Sequence, residues 1–159
     1  MRADHVLIDH HEVLRACCAQ VTGAPADTPE RQERVDALMV ELDIHMRIED
    51  ELFYPAVSAA TKLVAIAHAE HRQVSDQLAV FLRTDPRAAE YEAEWQSFVT
   101  TLDAHAKEEE RDLFPPPVEM TAQALDELGD RMLARMDELR ASRLEQFRVK
   151  ARGTVLRKL

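Results

Sequence analysis

Residues 45–55 read HMRIEDELFYP, and residues 105–115 repeat the pattern as HAKEEERDLFP. In both copies a histidine is followed four residues later by a glutamate, a spacing that puts the two side chains on one side of a helix. Two further histidine clusters accompany them, DHH at residues 9–11 and HAEH at residues 68–71. Histidine and carboxylate inside the apolar stripes of several helices predict metal ions held in the core of a helical protein.

The 159-residue chain has the length and composition of a single helical domain, with only three glycines. Its 20 basic and 30 acidic side chains give a net charge of −10, which disfavours nucleic acid or an anionic membrane surface as a partner. No stretch has the length of a transmembrane span or the apolar core of a signal peptide. Adjacent Cys17 and Cys18 diverge on a helix and make no disulfide framework. We therefore expect a cytoplasmic protein that acts on small molecules.

Prolines and loop residues divide the chain into five predicted helices. Short connections between the first four favour an all-α, antiparallel up-down-up-down four-helix bundle, with an additional C-terminal helix across its outside. We predict one domain over residues 1–159, with a core bundle at 4–115, the extra helix at 121–149 and a frayed tail at 150–159. The helices are predicted at about 4–21, from Pro29 to Pro55 or just past it, at 61–83, from about Arg87 to the prolines at 115–117, and at 121–149.

Two of these helices place a carboxylate in the apolar stripe. His45 and Glu49 fall in register with the buried leucines of the second helix, and His105 and Glu109 do so in the fourth. An inward histidine is explained by a hydrogen bond in the core, but an unpaired buried carboxylate is strongly destabilising. No arginine or lysine shares these stripes at the same depth, so a bound cation is the simplest counter-charge.

The side chains available as ligands indicate which metals fit. Imidazole and carboxylate without thiolate suit iron, manganese or zinc. Carboxylates from two different helices can each bridge two ions, as in dinuclear carboxylate sites of helical bundles. Five histidines and two bridging carboxylates leave at least one position open on two six-coordinate ions, and a small molecule can bind there.

With these elements the chain resembles the hemerythrin-like proteins, also called HHE cation-binding domains. The resemblance covers about residues 4–115 and rests on Asp-His near the N-terminus, H-x-x-x-E before LFYP, the histidine pair of the third helix and H-x-x-x-E-E before LFP. It implies a four-helix bundle around a non-haem di-iron centre with an oxo or hydroxo bridge. Members bind O2, sense O2, NO or iron, or decompose peroxide. The chain is most similar to small stand-alone actinobacterial members, which are associated with peroxide and NO.

The resemblance transfers to the first three helices residue by residue. The first-helix ligand matches His10, with His11, on a less apolar face, as the alternative. The second-helix pair matches His45 and Glu49. The third helix departs from the family pattern, because its histidines are three residues apart instead of four. Whether both of the third-helix histidines, His68 and His71, bind the metal stays open.

In the fourth helix, His105 is the matching histidine, but two carboxylates compete to be the bridge. Helical phase favours Glu109, whereas comparison of the two sequence copies favours Glu110, because two residues separate it from Leu-Phe, as two separate Glu49 from its own Leu-Phe. A carboxylate five residues after the histidine reaches the site only if the helix widens locally into a π-bulge. We prefer Glu110 narrowly, with Glu109 nearby.

Tyr54 is the candidate catalytic residue. In a regular helix it points away from the histidines and serves as an interface tyrosine. If the turn tightens at the end of the second helix, its phenol reaches the metal or a bound oxygen species.

The family leaves the activity open. Peroxide disproportionation needs redox iron, proton donors and a route for water, whereas reversible O2 carriage needs a dry apolar pocket. The acids around the fourth-helix ligands, Glu108 and Asp112 among them, and the unusual third helix favour a catalase-like di-iron protein of oxidative-stress defence. In this hypothesis Tyr54 or a nearby carboxylate moves protons. The alternative is reversible O2 or NO binding or sensing without turnover. An interaction module, docking through its acidic surface or basic residues 152–158, is a hypothesis of another class.

Overall fold

The structure is a computed structural model that describes residues 1–57, 61–115 and 120–159. Within these ranges the secondary structure is entirely helical, which confirms the predicted all-α class. Predicted positions at residues 58–60 and at Pro116 and Pro117 lie outside the described residues. The six main helices are α1 (Ala3–Thr22), α2 (Pro29–Ile48), α3 (Thr61–Arg83), α4 (Tyr91–Glu108), α5 (Ala122–Ala141) and α6 (Arg143–Arg157).

Helices α1 to α4 form the predicted four-helix bundle. Within it, α1 packs mainly on α2, and α3 packs mainly on α4. The C-terminal helices cover the outside: α5 lies against α1 and α2, and α6 lies against α2 and α3. Two faces of α1 are therefore buried, one toward the bundle and one toward α5.

The interior consists of two apolar clusters with a polar layer between them. Along each bundle segment, the residues on one side of the histidine belong to one apolar cluster and those on the other side belong to the second cluster. The histidines of the four segments therefore lie at the same level of the bundle. The apolar residues on the two sides of this layer are, from α1 to α4, Leu7 and Leu14, Ile48 and Leu42, Ala67 and Val74, and Leu113 and Leu102.

The start of α2 follows ordinary capping chemistry, whereas that of α4 has no side-chain cap. The Thr28 hydroxyl accepts a hydrogen bond from the Arg31 amide at 3.2 Å, and Pro29 occupies the first turn of α2. The predicted start of the fourth helix near Arg87 is wrong: Asp85 accepts the Arg87 amide in a turn at 2.9 Å, and α4 begins at Tyr91.

The C-terminal region differs from the prediction in two ways. The single helix expected at 121–149 is broken at Ser142, which is extended (φ −77°, ψ 103°) and caps α6 by accepting the Glu145 amide. The tail expected to fray is helical through Arg157. Arg157 donates to Asp36 of α2 at 2.9 Å, and Gly153 is buried against Met39, so the bundle holds this helix in place. Among the described residues, no helix is long and apolar enough to cross a membrane.

Candidate metal centre

Both histidine–glutamate repeats run into a widened helical turn. A π-helical turn, Glu49–Phe53, follows α2 and leads into a short α-helical segment, Tyr54–Ala56; a second, Glu109–Leu113, follows α4. In the second, the Phe114 amide donates to the Glu109 carbonyl at 2.8 Å, a bond across five residues. Each turn begins at the glutamate itself, so the glutamate keeps the α-helical phase of its histidine and the residues after it are rotated.

The bundle brings four histidines and two glutamates together in the polar layer. They form two groups of possible metal ligands, each with its nitrogen and oxygen atoms within 4.8 Å of one another, and both groups contain both glutamates. A pair of carboxylates shared between two positions is the arrangement of a dinuclear site. One group is His11, His45, Glu49 and Glu109, and the other is Glu49, His71, His105 and Glu109.

Several ligand atoms in this layer have no hydrogen-bond partner among the described residues. The Nε2 atoms of His11, His45 and His105 and one oxygen each of Glu49 and Glu109 are buried without a hydrogen bond among the described residues. Buried polar atoms are normally paired, and leaving them unpaired costs free energy. Converging lone pairs on nitrogen and oxygen are what a cation satisfies. The donor set therefore fits a metal site.

The electrostatics of the layer agree with this assignment. Burial and the neighbouring histidines hold the pKa of His45 far below its ordinary value, and burial lowers the pKa of His105 to about 4. Both rings are neutral near pH 7, the form that binds metals. Burial and the facing Glu109 carboxylate raise the pKa of Glu49. A cation between the two carboxylates removes this repulsion.

His71 is in a different state. Burial lowers the pKa of His71, but hydrogen bonds with Asp50 and Glu49 outweigh this effect and raise the pKa to about 10. Its Nε2 lies 3.1 Å from Glu49 Oε2. A metal ion bound at this nitrogen displaces a proton, so metal binding at this position is coupled to proton release.

Carboxylates outside the layer orient two of the rings. Glu110 Oε1 lies 2.8 Å from His11 Nδ1, and Glu70 Oε2 lies 2.9 Å from His105 Nδ1. An N–H group at Nδ1 leaves the lone pair on Nε2, facing inward. The partner of His45 is another histidine: its Nδ1 lies 3.2 Å from His10 Nδ1.

His10, the predicted first-helix ligand, is not in the layer. Its Nε2 donates to Glu41 Oε2 at 2.9 Å, and its Nδ1 accepts from His45. The neighbouring His11 is in the layer. The sequence favoured His10 because α1 is buried on two faces, and the apolarity of a face does not distinguish the bundle interior from the surface under α5.

The structure places Glu109, and not the narrowly preferred Glu110, among the possible ligands. Glu109 is 2% exposed and belongs to both ligand groups, whereas Glu110 contacts His11 Nδ1 and receives a hydrogen bond from Arg15 at 3.1 Å. The predicted π-bulge exists, but it starts at Glu109 and so widens the helix only after the inward carboxylate.

The third helix contributes one histidine to the layer. The side chain of His68 is 44% exposed and lies 3.2 Å from Asp50 Oδ1. Together with His71 these two form a third, more exposed group of possible ligands. His68 also contacts the Tyr54 ring edge-on, with 5.1 Å between the ring centres.

Tyr54 lies inside the layer. Its side chain is 1% exposed, and its hydroxyl donates to Glu109 Oε1 at 2.5 Å and lies 3.0 Å from His71 Nε2. The widened π-helical turn before Tyr54 rotates its side chain into the layer, whereas the sequence suggested a tightened turn. Sequence reasoning missed the orienting residues Glu41 and Glu70. Neither residue had a signal in the sequence, because Glu41 precedes His45 by four residues but pairs with His10.

Comparison with known proteins agrees with this geometry. The hemerythrin HHE cation binding domain matches residues 2–116. Proteins of Mycobacterium tuberculosis and Mycobacterium bovis, both described as uncharacterized, are 50% identical to the chain over 99% of both sequences. The crystal structure of a hemerythrin HHE cation binding domain-containing protein from Mycobacterium kansasii superposes with a TM-score of 0.90 at 52% identity, and covers 100% of this chain and 99% of that one.

Proposed function

Because this chain belongs to the hemerythrin HHE cation-binding family, we propose that it binds two iron ions and disproportionates hydrogen peroxide, as a non-haem catalase does. The observation that carries the proposal is the pair of ligand groups sharing two buried carboxylates, with a phenol beside them. When bound, two iron ions supply a redox pair able to exchange two electrons with peroxide.

The proposed ligands follow the two groups of the polar layer. His11 and His45 would hold one ion, His71 and His105 would hold the other, and Glu49 and Glu109 would be shared between them. Of the residues predicted from sequence, His10, His68 and Glu110 take no place in this set. Six protein ligands on two ions leave positions open for peroxide.

Tyr54 is the proton donor in this proposal. Disproportionation moves protons between peroxide oxygens, and the Tyr54 hydroxyl holds a proton at 2.5 Å from Glu109 Oε1. Burial and the charges of Glu49 and Glu109 hold the pKa of the phenol above its ordinary value, so the hydroxyl is protonated near pH 7. The same hydroxyl can take a proton back from the second peroxide molecule.

Aromatic side chains close the layer on the side of the π-helical turns. Phe114 stacks on His11 with 5.4 Å between ring centres, and Phe53 meets Phe114 edge-on at the same distance. These side chains exclude bulk water, which strengthens hydrogen bonds and charge interactions inside the site.

Oxygen evolution from hydrogen peroxide tests the activity. Protein loaded with two irons per chain should evolve oxygen over many turnovers, and metal-free protein should not. A single spectral change without turnover would contradict the proposal and favour the alternative, reversible O2 or NO binding.

Iron content tests the ligand assignment. Glu109→Gln removes a bridging carboxylate and should bind less than one iron per chain, whereas Glu110→Gln, its neighbour, should keep two because Glu110 only orients His11. Metal analysis after gel filtration measures both. Two irons retained by Glu109→Gln, or lost by Glu110→Gln alone, would reverse the assignment.

A further inference from the structure

The third group of possible ligands, formed by Asp50, His68 and His71 and called the outer group below, lies where the polar layer meets the surface. The side chains of Asp50 and His68 are 45% and 44% exposed, whereas His71 is buried. His71 also belongs to the layer, so the outer group and the layer share one residue. Within the described parts of the chain, the outer group is the one set of possible ligands that solvent reaches directly.

The atoms of the outer group are spaced as the ligands of one metal ion are. His68 Nδ1 lies 3.2 Å and His71 Nδ1 lies 3.4 Å from the same oxygen, Asp50 Oδ1. At metal–ligand bond lengths of about 2.0–2.1 Å, neighbouring ligands of a tetrahedral ion are roughly 3.3–3.4 Å apart. The buried Nδ1 of His71 has no hydrogen-bond partner among the described residues, so its lone pair is available to a cation.

The ligand types of the outer group select the class of metal. Two imidazoles and one carboxylate, with the remaining positions open, form the ligand set of non-haem iron(II) sites and of some zinc sites. Here the open side faces solvent, because Asp50 and His68 are half-exposed. Magnesium and calcium prefer oxygen ligands and would find only one carboxylate. The outer group therefore suits a divalent first-row transition metal.

His71 has a carboxylate at each nitrogen of its ring. Its Nε2 lies 3.1 Å from Glu49 Oε2 in the layer, and its Nδ1 lies 3.4 Å from Asp50 Oδ1 outside it. A neutral imidazole has one lone pair, so the ring binds a metal ion through Nδ1 or through Nε2, but not through both. In either case the other nitrogen carries a hydrogen, and the carboxylate beside it accepts that hydrogen. The outer group and the layer therefore use His71 alternately.

We propose that Asp50, His68 and His71 form an entry site for iron(II), from which the ion reaches the layer when His71 offers Nε2 instead of Nδ1. The proposal rests on the two-iron layer proposed above, but not on its activity toward peroxide. The layer needs such a route, because five of its six proposed ligands are only 0–3% exposed and His71, at 7%, is the most exposed. Once the layer is filled, the outer group no longer has His71 and holds no third iron.

The rate of iron(II) uptake tests the entry site. The full chain, freed of metal and shown to be helical by circular dichroism, is mixed anaerobically with iron(II), and the iron still free is measured over time with a coloured chelator. His68→Gln removes one ligand of the outer group, and its matched control is His5→Gln, because His5 is exposed and outside all three groups. Asp50→Asn removes another ligand. Its control is Glu51→Gln, which removes the same charge one residue later, from an exposed carboxylate outside the groups.

We expect His68→Gln and Asp50→Asn to take up iron about tenfold more slowly than wild type, and the two controls to stay within about twofold of it. All five proteins should reach two irons per chain at the end of uptake, because none of the substitutions removes a proposed ligand of the layer. Metal analysis after gel filtration measures this final content.

Uptake at the wild-type rate by both His68→Gln and Asp50→Asn overturns the proposal. Faster uptake by His68→Gln overturns it as well, because His68 would then block the path of the ion instead of binding it. So does a stable third iron in wild type that His68→Gln lacks, since the outer group would then keep its ion. If wild type itself retains fewer than two irons, the two-iron layer has failed, and the entry site fails with it.

Discussion

The hydroxyl of Tyr54 lies among three polar atoms of the layer. It is 2.5 Å from Glu109 Oε1, 3.0 Å from His71 Nε2 and 3.4 Å from Glu49 Oε2. A phenol placed this way can hold a proton where both ligand groups meet. Its removal leaves all six proposed ligands in place, so its chemical role can be separated from metal binding.

Tyr54→Phe should keep two irons per chain and lower the rate of oxygen evolution from peroxide by about a hundredfold, the scale of a lost proton donor. Metal analysis and an oxygen electrode measure the two quantities. His68→Gln is the control, because His68 contacts the Tyr54 ring but is half-exposed and outside the layer; its activity should stay near wild type. Full activity in Tyr54→Phe would assign proton transfer to another group.

At the scale of residues, helical phase predicted the inward direction of His45, Glu49 and His105, and each is buried in the structure. Helical phase could not decide which of His10 and His11 points into the polar layer, because both faces of α1 are covered. It failed at Tyr54 because the π-helical turn before it changes the phase. Periodicity describes a regular helix with one buried face, and the site departs from both conditions.

Two buried glycines join the outer helices to the bundle. A Cβ on Gly129 of α5 would lie 1.9 Å from the Met1 carbonyl oxygen and 2.9 Å from the amide nitrogen of Ala3, where α1 begins. A Cβ on Gly153 of α6 would instead meet the flexible end of Met39, at 2.9 Å. The first contact is with backbone and the second with a side chain that can rotate.

Gly129→Ala should therefore lower the free energy of unfolding by about 1–3 kcal/mol, as overpacking does. Gly153→Ala should stay within about 1 kcal/mol of wild type, because the gain in helix propensity offsets a small movement of Met39. Urea denaturation compares them. Equal losses in the two variants would show that α5 does not pack tightly on the start of α1.

At the scale of elements, the four bundle helices were predictable because their apolar periodicity is uninterrupted and prolines bound them. The break at Ser142 was not, since the apolar spacing continues across it from Leu139 to Val149. Only the capping bond between the Ser142 hydroxyl and the Glu145 amide marks the start of a new helix, and serine is too common inside helices for this to be read in advance.

The whole molecule places its polar layer between two apolar clusters. Without a cation, two carboxylates and several unpaired imidazole nitrogens are buried at the centre of the bundle. Because the unfolded chain lacks the assembled site, metal that binds the folded state stabilises it.

Removal of the metal should lower the melting temperature. A free metal concentration one hundred times the dissociation constant stabilises the fold by about 2.7 kcal/mol, which corresponds to roughly 5–11 °C for a chain of this size. Calorimetric melting with and without chelator measures the shift. Glu49→Ala, which lacks one shared carboxylate, should melt at the same temperature in both conditions. An equal shift in this variant would place the stabilising metal elsewhere.

A residue beyond the family match is linked to the polar layer by a chain of hydrogen bonds. Arg140 of α5 donates to both carboxylate oxygens of Glu41, at 2.8 and 3.2 Å, and Glu41 accepts from His10, which accepts from His45. The matched domain ends at residue 116, so the orientation of one proposed ligand depends on a helix outside it.

Because Glu49 and Glu109 belong to both groups of possible ligands, the two sequence repeats depend on each other. The α1–α2 hairpin carries one pair of imidazoles and the α3–α4 hairpin carries the other. The carboxylate that each hairpin places in the layer belongs to both groups of possible ligands. Substitution of either glutamate would alter both groups of possible ligands. A substitution in residues 45–55 or in residues 105–115 that moves its glutamate therefore disturbs the possible ligand group of the other hairpin as well.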